Sequence, residues 1–361
     1  MRVVIATGAY AGQPGPVTAA ARLTQGWSRQ APHDQVLTCP LSDGSSGFVD
    51  VLAHGLGAGP PTPLVVTGPA GEEVPVQVLL LERDGRRTAY LEAGQAAGRH
   101  LVDQDRLADP AGLTSHGVGE LIGAALEGGA GRVVVGCGDL ASHDGGLGLL
   151  QALGAGEDLA GLDEVRERLR GVELVLAAAT DLPLLGFHGA SAALGSEHGV
   201  AAEVTQSLEE RLGRWTERVA AVLPARTDLI TGQPVRPDRA PGAGGGGGVG
   251  YALLLLGAHP VVGARLVIEE LGLAPHLPGA LVVTGGTAYD WRSVHQGVVA
   301  EVARAALAVA APTVVLAEQV HVGRREGMSL GVAGSYAARV GEDLAQLAQR
   351  VARTWSPRHR A

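Results

Sequence analysis

The sequence predicts an α/β protein with two domains. The chain has 361 residues, which suits two domains of ordinary size better than one small domain. Short apolar segments alternate with longer segments of helical periodicity, an order typical of mostly parallel sheets covered by helices. The 55 glycines lie mostly between the apolar segments, where tight turns between strands and helices need them.

The elements of the first half follow from hydrophobic periodicity. Apolar runs predict strands, and apolar positions three or four residues apart predict helices. In order, we expect a strand at 3–6, a helix at 16–30, a strand at 36–41, a helix at 48–55, strands at 64–67, 74–81 and 88–91, and a helix at 118–126. The three strands between 64 and 91 are joined by glycine-containing turns and indicate a β-meander.

The second half shows the same alternation. We expect strands at 133–137 and 174–179, a long helix at 201–223, a helix at 251–256, strands at 281–284 and 313–317, and a helix at 298–311. The polar, proline-rich stretch 226–243 lies between the long helix at 201–223 and the helix at 251–256. It is typical of a crossing between domains.

Composition argues against several kinds of partner. The net charge of -9 gives no basic surface for nucleic acid. No apolar stretch has the length of a membrane span, and no signal peptide is recognised at the start. The two cysteines, Cys39 and Cys137, cannot build a disulfide framework and indicate a reducing compartment. We therefore expect a cytoplasmic protein without nucleic-acid or membrane partners.

The first of three glycine-framed loops covers residues 136–148, directly after a predicted strand, where open α/β sheets usually bind ligands. Its Ser142 and Asp144 can hydrogen-bond a substrate, and the helix that starts near Gly146 directs N–H groups toward negative charge. The same pattern is also typical of a turn capped by Asp144. Both interpretations stay open.

The other two loops are less specific. Residues 242–250 include five successive glycines, but they lack the Lys-Ser/Thr ending of a phosphate-binding P-loop and are also typical of a flexible linker. Residues 284–295 concentrate Asp290, Arg292, Ser293 and His295 after an apolar strand, although ordinary surface loops carry such groups too.

Familiar catalytic templates do not occur. The sequence has no His-Glu-x-x-His zinc pair, no Cys-x-x-Cys pair and no nucleophile elbow. An oxidoreductase that uses residues 136–148 as a dinucleotide loop is a weak alternative, because the G-x-G-x-x-G spacing and a ribose-binding acid are missing. Spacing alone predicts an α/β protein that binds a small, anionic ligand.

Taken in order, the loops also match the motifs of one known family. The most specific match is residues 137–154, Cys-Gly-Asp-Leu-Ala-Ser-His-Asp-Gly-Gly-Leu-Gly-Leu-Leu-Gln-Ala-Leu-Gly, beside the family's Gly-Gly-Ser-Ala-Thr-Asn-Asp-Gly-Gly-x-Gly-x-Leu-x-Ala-Leu-Gly. Further matches lie at 7–12, 42–48, 115–122, 178–186, 195–199, 244–250 and 283–297. From residue 3 to about 323 the chain resembles the glycerate kinases, which phosphorylate glycerate with ATP and Mg²⁺.

The resemblance implies a layout and a site. A Rossmann-like α/β domain would combine residues 1–62 with 241–361, and a second α/β domain, residues 63–240, would be inserted and begin with the meander. Substrate and nucleotide would meet in the cleft between them. The implied catalytic residues are Asp144, Asp290 and Asp181. The implied substrate- and nucleotide-binding residues are Asp43, Gly44, Glu92, Ser142, Gly145, Gly146, His198, Gly285 and Ser293. ATP and Mg²⁺ are the implied cofactors, and the resemblance assigns no metal ligand.

Several charged positions of the family are substituted. The family's lysines correspond to Ala11, His198 and Gly297, its acids to Gly8, Ser46, Ala179 and Gly286, and a motif asparagine to Leu182. Loss of a cation that faces a phosphoryl group costs several kcal/mol of transition-state stabilisation.

Two hypotheses therefore stay open. The first is an active kinase for glycerate or a related hydroxy acid. The second is a catalytically impaired paralogue that acts as a ligand-binding or regulatory protein. The sequence leaves the true substrate undecided. It also leaves open a homodimer or a protein partner.

Overall fold

The computed structural model describes residues 1–83, 85–223, 227 and 232–356. The chain divides into two compact units. Unit 1 consists of Met1–Gly59 and Gly263–Ala361, and unit 2 of Pro60–Val262. The sequence predicts that the stretch 226–243 crosses between domains, but its described residues, 227 and 232–243, lie within unit 2; residues 226 and 228–231 lie outside the described part of the chain.

The described strands and helices alternate along most of the chain. The strands are β1 Arg2–Thr7, β2 Gln35–Pro40, β3 Thr62–Thr67, β4 Glu73–Arg83, β5 Arg86–Glu92, β6 Arg132–Cys137, β7 Glu173–Ala178, β8 His259–Val262, β9 Leu281–Tyr289, β10 Thr313–Val320 and β11 Val332–Ala337. The α-helices are α1 Pro16–Gln30, α2 Phe48–Gly55, α3 Ala93–Ala97, α4 Gln104–Ala108, α5 His116–Glu127, α6 Leu147–Ala152, α7 Leu162–Arg168, α8 Ala190–His198, α9 Ala202–Val222, α10 Val249–Leu255, α11 Gly263–Glu270, α12 Trp291–His295, α13 Gly297–Ala308, α14 Arg324–Ser329 and α15 Leu344–Trp355.

Unit 1 has a five-stranded, fully parallel sheet in the order β11-β10-β9-β1-β2. Successive residues of a strand point to opposite faces, so Leu316 packs in a cluster with Trp27 of α1 and Leu347 of α15, while Val315 packs with Val299 of α13. Both faces of the sheet are therefore covered, as parallel sheets require. The strand order reverses between β1 and β9, which is where such sheets usually bind ligands.

Unit 2 has a six-stranded mixed sheet in the order β3-β4-β5-β6-β7-β8. β3, β4 and β5 form the antiparallel meander that the sequence predicts, and β5 to β8 are parallel. Leu121 and Ile122 of α5 and Val133 and Val135 of β6 are buried in one core cluster. The loops after β5, β6 and β7 consequently start from the same edge of the sheet.

The boundary after the inserted segment differs from the expectation. Residues 241–262 are expected in the discontinuous domain, but their contacts place them in unit 2. The reason is that β8 adds to the sheet of unit 2 beside β7, and Tyr251 and Leu253 of α10 are buried in its core. Within the described part of the chain, none of the helices combines the length and the apolar character needed to cross a bilayer.

Candidate functional site

In unit 2 the strands β5, β6 and β7 end at Glu92, Cys137 and Ala178. The loop after β6 is bonded to the segment after β5, because the Ala141 N–H donates to the Ala97 carbonyl oxygen over 2.8 Å. Glu92 is 6 % exposed and ends β5 at the same edge. Glu92 and the loop 138–146 therefore lie side by side, as the carboxyl ends of parallel strands should.

Asp144 is the centre of this loop. Its Oδ2 accepts hydrogen bonds from the Ser115 N–H and hydroxyl, both 2.9 Å, and from the Gly148 N–H, 3.0 Å. Its Oδ1 accepts from the Gly146 N–H over 2.9 Å. The side chain is 8 % exposed, and the bonds tie its loop to the starts of α5 and α6. This geometry supports the capping interpretation, and a catalytic role for Asp144 stays a prediction.

Gly145 and Gly146 allow the loop to pack closely. Both have left-handed backbone angles, φ 68° and 75°. A Cβ at Gly145 would overlap the Trp215 ring, whose indole N–H donates to the Gly145 carbonyl over 3.1 Å. A Cβ at Gly146 would overlap Ala252 of α10. These two glycines serve the packing of the loop.

The glycine run 244–248 is not a linker. Gly244, Gly245 and Gly248 are buried, and residues 245–248 form a 3-10 turn that leads into α10. The Gly145 N–H donates to the Gly247 carbonyl over 3.0 Å, and the Ser142 hydroxyl lies 3.4 Å from the Gly246 carbonyl. A Cβ at Gly246, Gly247 or Gly248 would collide with the loop after β6, which explains the glycines at these three positions.

His143 is a buried residue that motif spacing did not single out. It is 2 % exposed, and its Nε2 lies 3.0 Å from the hydroxyl of Ser191, which is 1 % exposed on α8. Burial, and then the charge of Arg211, lower the pKa of His143 to about 4. The ring is therefore neutral at pH 7, and it can share a hydrogen bond with Ser191 in either tautomer.

Asp181 and His198 lie apart from the buried loop contacts. Asp181 follows β7 and is exposed, and His198 is the exposed last residue of α8. Asp181 makes no hydrogen bond or ion pair among the residues that the structure describes. Among the candidates in unit 2, Asp181 thus presents a carboxylate that water or a ligand can reach.

The corresponding edge of unit 1 is held together by backbone groups and side-chain hydroxyls at the β1–β9 junction. The Gly8 N–H donates to the Gly285 carbonyl over 3.3 Å, and the Ala11 N–H donates to the Thr287 hydroxyl over 2.8 Å. A Cβ at Gly286 would lie 3.3 Å from the carbonyl of the neighbouring loop. Three of the substituted family positions, 8, 11 and 286, are therefore neighbours.

Gly285 lies inside β9, whereas the sequence predicts that the strand ends at residue 284. The strand continues because Gly285 and Gly286 pair with Leu316 and Ala317 of β10. A Cβ at Gly285 would overlap the Leu316 carbonyl and approach the Tyr10 hydroxyl, which donates to that carbonyl over 2.7 Å. Gly285 is required by the packing of two strands.

Asp43 and Gly44 form a tight turn after β2. Asp43 Oδ1 accepts from the N–H of Ser45, 3.1 Å, and from its hydroxyl, and Gly44 has φ 101°. A Cβ on Gly297, at the start of α13, would lie 3.6 Å from Asp43 Oδ2. A family lysine at position 297 would start beside this carboxylate, but the φ of 78° at Gly297 favours glycine.

Asp290 and Ser293 form a capping box at the start of α12. Asp290 Oδ1 accepts from the Arg292 and Ser293 N–H groups, both 3.0 Å, and the Ser293 hydroxyl lies 2.7 Å from the Asp290 N–H. Both residues are half-buried. The predicted site residues therefore divide between the two units. Asp43, Gly44, Gly285, Asp290 and Ser293 lie in unit 1, and the others in unit 2.

Glycine-rich loops and carboxylates at the carboxyl edges of parallel strands define a ligand-binding α/β protein. In the described part of the chain, no three His, Cys, Asp or Glu side chains are grouped as a metal site.

Comparison with known proteins gives a more specific answer. Residues 3–355 match the model of the glycerate kinase family. A Bacillus subtilis glycerate kinase is 32 % identical, over 88 % of this chain and 85 % of its own length. An Escherichia coli glycerate 2-kinase is also 32 % identical, over 82 % of this chain and 79 % of its own length. An uncharacterized protein of Mycobacterium bovis is 37 % identical, over 92 % of this chain and 82 % of its own length.

A solved structure agrees with these matches. The crystal structure of a protein assigned as glycerate kinase 2 from Salmonella typhimurium LT2 superposes with a TM-score of 0.74 over 98 % of both chains, at 28 % identity. The chain belongs to the glycerate kinase family.

Proposed function

We propose that the protein transfers a phosphoryl group from ATP to a hydroxyl group of glycerate or a related small hydroxy acid. The match of residues 3–355 to the glycerate kinase family carries the proposal, because it covers nearly the whole chain. The two relatives that are named as kinases of glycerate support the same substrate class.

Arginine supplies the positive charge that a phosphate or carboxylate needs, because the chain contains no lysine. In unit 2, Arg211 lies close enough to His143 to lower its pKa, and its guanidinium donates to the Ala111 carbonyl. A guanidinium can bind a carboxylate or phosphate through two parallel hydrogen bonds. We assign Arg211 to the anionic end of the substrate.

Asp181 is the carboxylate that we assign to the reacting hydroxyl group. Its exposure after β7 leaves it available to orient a substrate hydroxyl and to accept its proton during transfer. Asp144 has a different task, because all four of its hydrogen bonds come from the loops around it. We assign Asp144 to positioning the loop after β6.

Magnesium fits this arrangement in a limited way. Mg²⁺ in kinases is usually held by one or two carboxylates together with the nucleotide phosphates. The exposed Asp181 is a carboxylate of this kind. When bound, the ion would neutralise charge on the phosphates.

The test is ADP release by the purified protein with ATP, Mg²⁺ and D-glycerate. Asp181→Asn should lower turnover by about 100-fold or more, which is the usual contribution of a positioned acid–base group to the rate. Asp163→Asn is the matched control: this carboxylate on α7 is 88 % exposed and should not affect turnover.

The proposal predicts that ATP and glycerate each raise the thermal unfolding temperature, since a ligand that binds only the folded state stabilises it. No ADP release above background, together with no thermal shift from either ligand, would overturn it. Equal turnover in Asp181→Asn and wild type would remove Asp181 from the reaction but leave the substrate class in place.

A further inference from the structure

Unit 1 contains a cavity of about 330 Å³ beside the end of β9. Its wall includes Tyr289, the last residue of β9, and Arg324, the first residue of α14. The opposite wall is β11, with Val332, Ser335 and Tyr336. The motifs identified in the sequence do not account for this cavity, although Tyr289 directly precedes Asp290.

The hydroxyl of Tyr289 lacks a hydrogen-bond partner in the described part of the chain. The residue is 1 % exposed, and its ring packs with Val299 and Val315. Burial, and to a smaller extent the charge of Glu326, raise the pKa of this phenol, so it stays a hydrogen-bond donor. A buried polar group without a partner is rare in native proteins and indicates a missing water, ion or ligand.

Two more polar groups on the cavity wall lack partners. Neither the Arg324 guanidinium nor the Ser335 hydroxyl makes a hydrogen bond or ion pair with any residue that the structure describes. Glu326, the acid nearest in sequence, directs one carboxylate oxygen to the Gly323 N–H over 2.7 Å. None of the described lining residues is acidic.

We propose that this cavity binds the phosphate group of a small ligand. Arg324 supplies the charge, and the hydroxyls of Tyr289 and Ser335 donate to further oxygens. Three donors on different elements suit the three oxygens of a phosphate better than the two of a carboxylate. Val332 offers an apolar wall to the rest of the ligand. The volume lies at the lower end of ligand pockets, about 300–1,000 Å³.

The first test is calorimetric titration of the full chain with inorganic phosphate, at constant ionic strength set by chloride. Arg324→Ala should weaken phosphate binding about tenfold or more, because it removes the charged donor. Arg325→Ala is the matched control: it removes the same charge from the next residue of α14, which is exposed and does not line the cavity.

Tyr289→Phe separates a binding role from a structural one. The ring is kept, and the lost hydroxyl has no hydrogen-bond partner among the residues that the structure describes, so the unfolding temperature without phosphate should not fall. The rise in unfolding temperature caused by phosphate should shrink in this variant but not in Arg325→Ala.

A parallel titration with ADP identifies the source of the phosphate. ADP that binds through Arg324 and competes with inorganic phosphate assigns the cavity to a nucleotide. Phosphate binding without such competition assigns it to another phosphorylated molecule or to free phosphate. The proposal fails if wild type binds neither probe, or if Arg325→Ala weakens binding as much as Arg324→Ala. These readouts are binding constants, so they do not depend on whether the protein phosphorylates glycerate.

Discussion

The carboxyl edges of the two sheets hold their loops in different ways. In unit 1 the loop after β1 is bonded to β9 through the backbone of Gly8 and Gly285 and through the Ala11 N–H and Thr287 hydroxyl. In unit 2 a buried carboxylate contributes to holding the loop after β6, because Asp144 accepts four hydrogen bonds. Backbone groups and hydroxyls hold the first edge, whereas a carboxylate takes part at the second.

This difference bears on where the family's charged residues are missing. Positions 8, 11 and 286 lie at the edge that is held by backbone groups and hydroxyls, where these bonds involve no charged side chain. Asp144 is retained at the edge that would lose four hydrogen bonds without it. We therefore expect the loss of a charged side chain to cost less stability at the edge of unit 1 than at the edge of unit 2. The following predictions test this comparison.

The largest effect is expected for Gly285→Val. Any Cβ at this position would overlap the Leu316 carbonyl, so β9 and β10 must separate. We expect a loss of more than about 3 kcal/mol in the free energy of unfolding, at the upper end of overpacking effects. Urea unfolding measures the loss, and hydrogen exchange should place it in unit 1.

The control for this variant is Gly123→Ala in α5. A Cβ there meets nothing within 4 Å, so alanine should stabilise its helix by about 0.5–1 kcal/mol. A similar loss in both variants would mean that close approach at Gly285 is not the cause.

Asp144→Ala should have the next largest effect. The Ser115, Gly146 and Gly148 N–H groups lose their acceptor in a buried loop, and we expect a loss of about 2–3 kcal/mol. Asp144→Asn should lose less, because its amide oxygen can still accept. If Asp144→Asn kept full stability and yet abolished turnover, Asp144 would act in the chemistry and not only on the loop.

Local patterns explain why much of the fold could be predicted. The structure confirms α1 and α2 at the predicted bounds, because Pro16 at the start of α1 and the helical spacing of Ala20 and Trp27 are local signals. β9 is longer than predicted, because Gly285 looks like a loop residue until β10 lies beside it. The same applies to the glycine run 244–248, which only its buried neighbours distinguish from a linker.

The site was harder to predict than the fold. The four donors to Asp144 include the backbone and side chain of Ser115, 29 residues away, and His143 contacts Ser191, 48 residues away. Such distant pairs have no fixed spacing in a sequence. The position of His143 next to a motif aspartate was the only local signal that it lies in the site.

Protonation of His143 should make stability depend on pH in unit 2. Burial lowers the pKa of His143 to about 4, whereas an unfolded histidine has a pKa of about 6.5. Above pH 6.5 both states are neutral. As the pH falls from 6.5 toward 4, the unfolded state binds a proton first, so stability is lost. The expected loss is about 2 kcal/mol between pH 7 and pH 5.

The variant His143→Asn isolates the contribution of His143 to the pH dependence of stability. Asparagine is the residue of the family motif at that position, and it does not titrate. The pH dependence of its unfolding free energy between 5 and 7 should be about 2 kcal/mol smaller than that of wild type. His188→Asn, which alters an exposed histidine of the same unit, should keep the wild-type dependence. Parallel pH curves for wild type and His143→Asn would show that His143 is protonated in the folded state.

The smallest effect is expected for Asp290→Ala, the unit 1 counterpart of Asp144→Ala. Asp290 caps a helix of five residues and is half-buried, so water can replace it on the freed N–H groups. We expect a loss of about 1 kcal/mol, the usual cost of an N-cap. Asp290→Ser retains a capping hydroxyl and should recover most of it. If Asp290→Ala cost as much stability as Asp144→Ala, the edge of unit 1 would depend on a carboxylate as much as the edge of unit 2 does. Hydrogen exchange at the N–H groups of Arg292 and Ser293 would show whether the loss begins at this cap.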